Sequence, residues 1–447
     1  MVRKFDSNNV EDILPLSPMQ NGMLIYYLKN QDSEVYFENL IFDITGYIDE
    51  KSLIDTFRLI IKNNQILRSE IVWENIETPI QIILKNHEGN IEIYHKNSTD
   101  QKVKFEDINL NVDLRKVPFK IVLFEYDTNK YKLAICSHHI LYDGWSTAII
   151  LKEFITTYHK MIQNENIVFD KKGRYKDYLQ CINNQDKHSE QEYWRCLYQG
   201  FDFDTIQYFG QKENRTNKKD IQNDSFKVHN EKEIYNFINK NEITLAAYIY
   251  TAWAILIHKY TRLNDIVFGT TVSGRTVPVK KIENIVGLFI NTIPLRKLIV
   301  EEDNILDTLL DTKKLLADRE NYETTSIIDM KSYCNCNKEL YDSIVVIENY
   351  PLNQLTMMQE SIFDIKPEEQ NVKGEFDLIV NVSVIEELLF TISYNKNCFS
   401  NECIHEIIDY FKRILENMPN EECQKIKDIK IIDDNFEDII IDDFDFG

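Results

Sequence analysis

The stretch "CSHHILYDGWS" (136–146) sets two adjacent histidines, His138 and His139, ahead of Asp143 and Gly144. Its neighbours decide how it is read. "FKIVLFEYD" (119–127) and "YKLAICSHH" (131–139) are apolar runs rich in β-branched and aromatic residues, with a short polar turn around Asp127 to Lys130. They read as two strands, and the histidines fall where the second one ends. The run "TAIILKEFITTYHKMI" (147–162) then has helical periodicity. A histidine at a strand end is held by a rigid element and left open by the turn after it. Imidazole titrates near neutrality, so His139 can take a proton from an amine or hydroxyl nucleophile. Asp143 can fix the turn by pairing with an arginine. Gly144 allows close backbone approach, and its N–H can donate to an oxyanion or a substrate carbonyl. On these residues alone, ordinary strand-end histidines and a plain Asp-Gly turn remain an open alternative. A zinc site fits less well, because adjacent strand residues point to opposite faces and no helical H-E-x-x-H accompanies them.

Outward from this stretch, residues 10–30 read as a loop followed by a helix, with Ser17 as N-cap and Pro18 at the first helical position. Residues 50–68 read as a helix, with Leu53, Ile54, Phe57, Ile60 and Ile61 at helical spacing, and "SEIVWE" as a strand. The stretch 183–235 is polar and reads as a connection between lobes with a short aromatic segment inside it. Beyond it, "LAAYIYTAWAILIHKYT" (245–261) is a helix. "DIVFGTTVSGR", "YDSIVVIEN", "EFDLIVNVSVI" and "LLFTISYN" are strands, and a helix covers 401–417. No fixed-period repeat stands out. Strands and helices are mixed in both halves, so α/β or α+β layers fit better than a bundle.

At 447 residues with 43% hydrophobic and 12% aromatic content, the chain can build sizeable cores. A formal net charge of -22 argues against nucleic acid, whose phosphates need a basic surface. No apolar run approaches the about 20 residues of a membrane helix, and "MVRKFDSNNVEDILPLSP" lacks a signal core, so a cytoplasmic location is expected. The eight cysteines lack framework spacing and fit reduced thiols. Cys334 and Cys336 form the closest pair, but no second Cys/His pair accompanies them as a metal site needs.

"HHILYDGWS" matches the HHxxxDG signature of condensation domains from non-ribosomal peptide synthetases, in the chloramphenicol acetyltransferase-like superfamily. Other matches stand in order. "LSPMQNGML" (16–24) resembles the first core motif and "QILRSEIVW" (65–73) the second. "YKDYL" (175–179) followed by "YW" (193–194) resembles the fourth. "DIVFGTTVSGR" (265–275), "VGLFINTIPLR" (286–296), "YDSIVVIENYP" (341–351) and "EFDLIV" (375–380) resemble later segments. The resemblance covers roughly residues 10–425.

It implies two acetyltransferase-like lobes in a V-shaped pseudo-dimer, with the active site in a tunnel between them. The first lobe would be 1–180, and a connection with the second lobe 181–428. Phosphopantetheine arms of donor and acceptor carrier proteins would bring the thioesters, with no cofactor bound directly and no metal. The acceptor amine would attack the donor thioester to form an amide. His139 would be the main catalytic residue, by proton acceptance or by positioning the amine. His138 would pack inward, and Asp143 would be structural, paired with Arg275 or with Arg68. Gly144, Trp145, Ser146 and Asn291 would line the substrate path.

"NNQ" (63–65) departs from the family's usual Arg-His-Glu, and "TTSIIDMKSYCNCNKEL" (324–340) matches no family segment. The histidines disfavour heterocyclisation, and "DGWS" with "LSPMQNGML" suits peptide-bond formation, in the branch whose donors end in a D-residue. No adenylation signature or carrier attachment motif accompanies them, so the expectation is a free-standing monomer that meets its carriers in trans. The tail 429–447 mixes acids with Ile and Phe, and its last fifteen residues carry seven acids and no base. It resembles acidic docking motifs, so 433–447 is expected to recruit a partner, with a solvated tail as the alternative. A related acyltransferase with a free amine or alcohol acceptor, and a non-catalytic recruitment platform, remain competing functions. Retention of His138, His139 and Asp143 argues against the platform.

Overall fold

The computed structural model describes residues 6–30, 35–96, 104–206, 208–209, 219–348, 364–367, 376–384 and 387–431. They divide into two compact units. The first holds the described residues up to Gln185, the segment Ser273–Asn291 and the strand Asp364–Pro367, and the second holds the rest. The division is therefore not a single cut near residue 180, since two later segments return to the first unit. The expected tail 433–447 lies outside the described residues.

The first unit runs β1 (Val10–Pro15), α1 (Pro18–Lys29), β2 (Phe37–Thr45), α2 (Glu50–Asn63), β3 (Ser69–Val72), β4 (Ile80–Leu84), β5 (Asn90–His95), β6 (Phe119–Asp127), β7 (Lys130–His138), α3 (Gly144–Ile162) and α4 (Tyr175–Asn183). Its main sheet has the order Asp364–Pro367, β2, β7, β6, β5. β6 and β7 have apolar centres, 121–124 and 133–136, because both faces are covered there. Ile121, Leu123, Leu133 and Ile135 join the core that contains Phe57 of α2 and Phe154 of α3, whose rings stack at 4.8 Å. Val122, Phe124, Ala134 and Cys136 face a smaller cluster closed by Ile108 and its neighbours. The turn between the strands places Asn129 at φ 54, a left-handed conformation that asparagine tolerates.

Ser17 and Gln20 form a capping box that starts α1 behind Pro18 at the first helical position. The residues before it are not a loop: β1 pairs antiparallel with β4. Only Leu14 of "VEDILP" is fully buried, so the strand has no apolar alternation to announce it. The helix expected at 50–68 ends at Asn63 and gives way to a 3-10 turn at Gln65–Arg68.

The second unit runs α5 (Lys187–Leu197), β8 (Ile221–Lys227), α6 (Glu231–Lys240), α7 (Leu245–Thr261), β9 (Asp265–Val272), β10 (Asn291–Leu298), α8 (Ile305–Arg319), α9 (Ile327–Tyr333) and β11 (Ser343–Glu348). In chain order the Asp364–Pro367 strand is β12, followed by β13 (Leu378–Ser383), β14 (Leu389–Asn395) and α10 (Asn401–Asn417). The sheet order is β10, β9, β11, β13, β14, β8. β11 is parallel to both β9 and β13, and α7 is buried along almost its whole length. The polar stretch 183–235 is more than a connection. It contributes helix α5, the edge strand β8 and the start of α6, because backbone pairing with β14 and the buried ring of Trp194 order it. Among the described residues, no helix is long and apolar enough to cross a membrane, and no cluster of three or more His, Cys, Asp or Glu side chains could hold a metal ion.

Candidate active site

β7 delivers the two histidines to different surroundings, as strand alternation requires. His138 stands opposite Phe37 of β2 in the ladder, and its ring packs edge-on against Phe37 at 4.8 Å. It is fully buried, and Nδ1 accepts the Ile140 N–H at 3.1 Å. That bond selects the tautomer with the proton on Nε2. Burial, with a smaller contribution from the neighbouring His139, pushes the His138 pKa down to about 3, so the ring is neutral near pH 7.

His139 leaves the ladder. Its N–H donates to the Tyr36 carbonyl at 2.7 Å, and Tyr36 sits at φ 70 to present it. The His139 side chain is 18% exposed, and Nε2 lies 3.4 Å from Glu38 Oε1. Nδ1 is buried and meets no hydrogen-bond partner among the described residues. Nε2 is the nitrogen that faces Glu38.

Asp143 caps α3 by accepting the Ser146 N–H at 2.9 Å. It is fully buried, and beyond its bonds to Ser146 it reaches the segment Ser273–Asn291. Oδ1 accepts from Arg275 Nη2 at 3.0 Å and Oδ2 from the Phe289 N–H at 3.0 Å. Arg275 also donates to the carbonyls of Ile282 (2.6 Å) and Ile285 (3.0 Å), and its guanidinium lies 4.0 Å over the Phe289 ring. Burial pulls the Arg275 pKa down, and the Asp143 carboxylate opposes that pull. Gly274 turns this segment at φ 62, where a Cβ would fall 1.9 Å from the Phe289 oxygen. Tyr175 of "YKDYL" closes the far side, donating its hydroxyl to the Leu288 carbonyl at 2.7 Å.

Of the two arginines expected beside Asp143, the structure brings in Arg275 and not Arg68. Arg68 follows α2 and points at β1 and β4, where it pairs with Glu11 at 2.7 Å and donates to the Leu84 carbonyl. Ser146 requires a correction too. It is fully buried, accepts from Arg275 Nη2 at 2.9 Å and from the Gly287 N–H at 3.1 Å, and lies within donating distance of Asp143 and the Gly287 carbonyl. It is a structural tie with no face left for substrate. Trp145 is half-buried and donates Nε1–H to the Glu283 carbonyl at 2.9 Å, which ties the same segment. Gly144 is half-buried as the first residue of α3, and Asn291 is buried at the start of β10.

Sequence reasoning missed Glu38. Its signal was the acid nearer the start of "VYFENLIFDI", two residues after the Tyr36 that pins His139.

A family model described as the Condensation domain matches residues 10–441. Bacitracin synthase 3 of Bacillus licheniformis is 29% identical over 440 residues, which are 95% of this chain and 7% of that protein. Surfactin synthase subunit 3 of Bacillus subtilis (strain 168) is 26% identical over 451 residues, covering 98% of this chain and 35% of that one. The chain thus spans between under a tenth and about a third of these relatives. Among solved structures, a four-domain nonribosomal peptide synthetase bound to AMP and glycine matches with a TM-score of 0.79 at 17% identity, over 98% of this chain and 35% of that one. The condensation domain of the monacolin K polyketide synthase matches with a TM-score of 0.75 at 15% identity, over 94% of this chain and 100% of that one. At these identities the solved structures speak for the mixed α/β fold.

Proposed function

The chain belongs to the condensation-domain family, and from that premise we propose that it forms an amide bond between two carrier-borne substrates. A donor acyl or peptidyl group arrives as a thioester on the phosphopantetheine arm of one carrier protein, and an acceptor amine arrives on another. The amine nitrogen attacks the thioester carbonyl carbon and a C–N bond forms. As the tetrahedral intermediate collapses, the C–S bond breaks and the donor arm leaves as a thiol. The proton lost by the amine ends on the leaving sulfur.

One observation carries this reading. The strand-end His139 is partly exposed with Nε2 facing Glu38, and the turn after it is held by a fully buried and fully bonded Asp143. His139 is assigned the amine proton, and its backbone tie to Tyr36 holds the ring in place. His138 is neutral and buried, so its role is to shape the turn. Asp143 and Arg275 hold the loop and the segment behind it.

The test is intact-protein mass spectrometry on carriers loaded with candidate acyl and aminoacyl groups. The expected result is transfer of the donor mass to the acceptor carrier by the wild type. His139→Ala should slow it about 100- to 10,000-fold, the usual worth of a positioned proton acceptor. Equal transfer by both proteins removes His139 from the chemistry. Acylation of a free amine or alcohol instead of the acceptor carrier replaces the carrier-bound acceptor in this reading.

A further inference from the structure

Behind His139 lies a group of polar atoms that the reaction above does not use. Glu38 stands opposite Ser137 in the β2–β7 ladder, so the two side chains share one sheet face, while Phe37 and His138 share the other. Ser137 is 2% exposed and Tyr142 is 1% exposed. The Tyr142 phenol has the Ser137 hydroxyl as its side-chain partner, and the buried His139 Nδ1 meets no hydrogen-bond partner among the described residues. Buried polar atoms are nearly always paired, and the unpartnered His139 Nδ1 is the exception here. Burial pushes the Tyr142 phenol well up, against a smaller lowering by its bond to Ser137 and with Glu38 adding, so it is neutral. Glu38, 31% exposed, brings the formal charge.

We propose that Glu38 and His139 together seat the acceptor amine, with Glu38 receiving it as an ammonium ion. This rests on the amide-forming reading above and adds a residue to it. An α-amine is largely protonated near neutral pH. Glu38 Oε1 and His139 Nε2, 3.4 Å apart, are close enough for one ammonium group to donate to both. The ammonium must lose one proton before its lone pair can attack, and that proton leaves to solvent through the partly exposed carboxylate. A second proton passes to His139 Nε2 as the C–N bond forms, and from there to the sulfur as the C–S bond breaks. The balance is one ammonium and one thioester in, and one amide, one thiol and one proton out. Ser137 and Tyr142 make the polar floor on which this charge is held.

The test compares wild type, Glu38→Gln, Glu38→Asp and His139→Ala, using a panel of acyl N-acetylcysteamine thioesters as donors. The acceptors are amino-acid amides, which carry an ammonium, and methoxyamine, which is uncharged at neutral pH. Glu38→Gln should lower kcat/KM for the amino-acid amides roughly 10- to 100-fold, the worth of a hydrogen bond to a charged group. It should leave methoxyamine within about threefold, and Glu38→Asp should recover part of the loss. Thermal unfolding of each variant separates this from misfolding, which would depress both acceptors alike. Equal loss on both acceptors, or no loss on either, overturns the role of Glu38 and leaves the condensation reading standing. Wild-type turnover no greater than that of an active His139→Ala overturns the shared seat and removes His139 from the chemistry, and absence of wild-type turnover across the panel overturns both readings.

Discussion

Two adjacent histidines in this chain differ because a strand turns one inward and the other out. His138 has a folded-state pKa of about 3 against an ordinary 6.5, with burial as the main cause. The unfolded chain therefore takes up the proton first as pH falls. The contribution of this residue is fully present above pH 6.5 and is lost progressively from there toward pH 3. Thermal unfolding measured from pH 7 to pH 4 should show a steeper decline for the wild type than for His138→Asn. The asparagine oxygen can still accept the Ile140 N–H, but the side chain does not titrate. Parallel curves would mean that His138 does not carry the acid sensitivity. At this scale the sequence indicated which residues mattered and left their division of labour to the fold. The motif reads the same whether Ser146 faces substrate or the Gly287 backbone, and only the buried position of its hydroxyl decided.

Between elements, the tie from the start of α3 to the segment Ser273–Asn291 has a direct energetic consequence. Arg275→Met would leave the Asp143 carboxylate buried without its cation, a change that costs about 3–5 kcal/mol. Adding Asp143→Asn removes the stranded charge, so the double variant should be more stable than Arg275→Met alone in urea unfolding. The reverse order would show that the pair's geometry, rather than charge compensation, holds the segment. Which elements could be read in advance follows from how they are buried. β6, β7 and α7 are largely covered and carry long apolar runs, so their sequences announce them. β1 and β8 are largely half-exposed, and pairing with one neighbour makes them strands. α8 carries Ile305 and Leu309 at helical spacing, yet mixed charges dilute the pattern.

Across the whole molecule, two units with separate cores should respond separately to damage in one of them. Hydrogen exchange of Arg275→Met should show faster amides across 273–291 and the first turn of α3, while β11 and β13 keep wild-type protection. Equal acceleration in β11 and β13 would show the two units opening as one. By itself the sequence determined the mixed α/β class, the strand-end placement of His139 and the partnership of Asp143 with an arginine. Those depend on local periodicity and on motif residues whose types are diagnostic. The tertiary structure alone decided which arginine that is, that Ser146 is buried against the Gly287 backbone, that Trp145 ties to the Glu283 carbonyl, and that Glu38 stands beside His139. These are matches between residues some 100 to 140 positions apart in the chain. Such distances are set by sheet pairing and core packing, which no local pattern encodes.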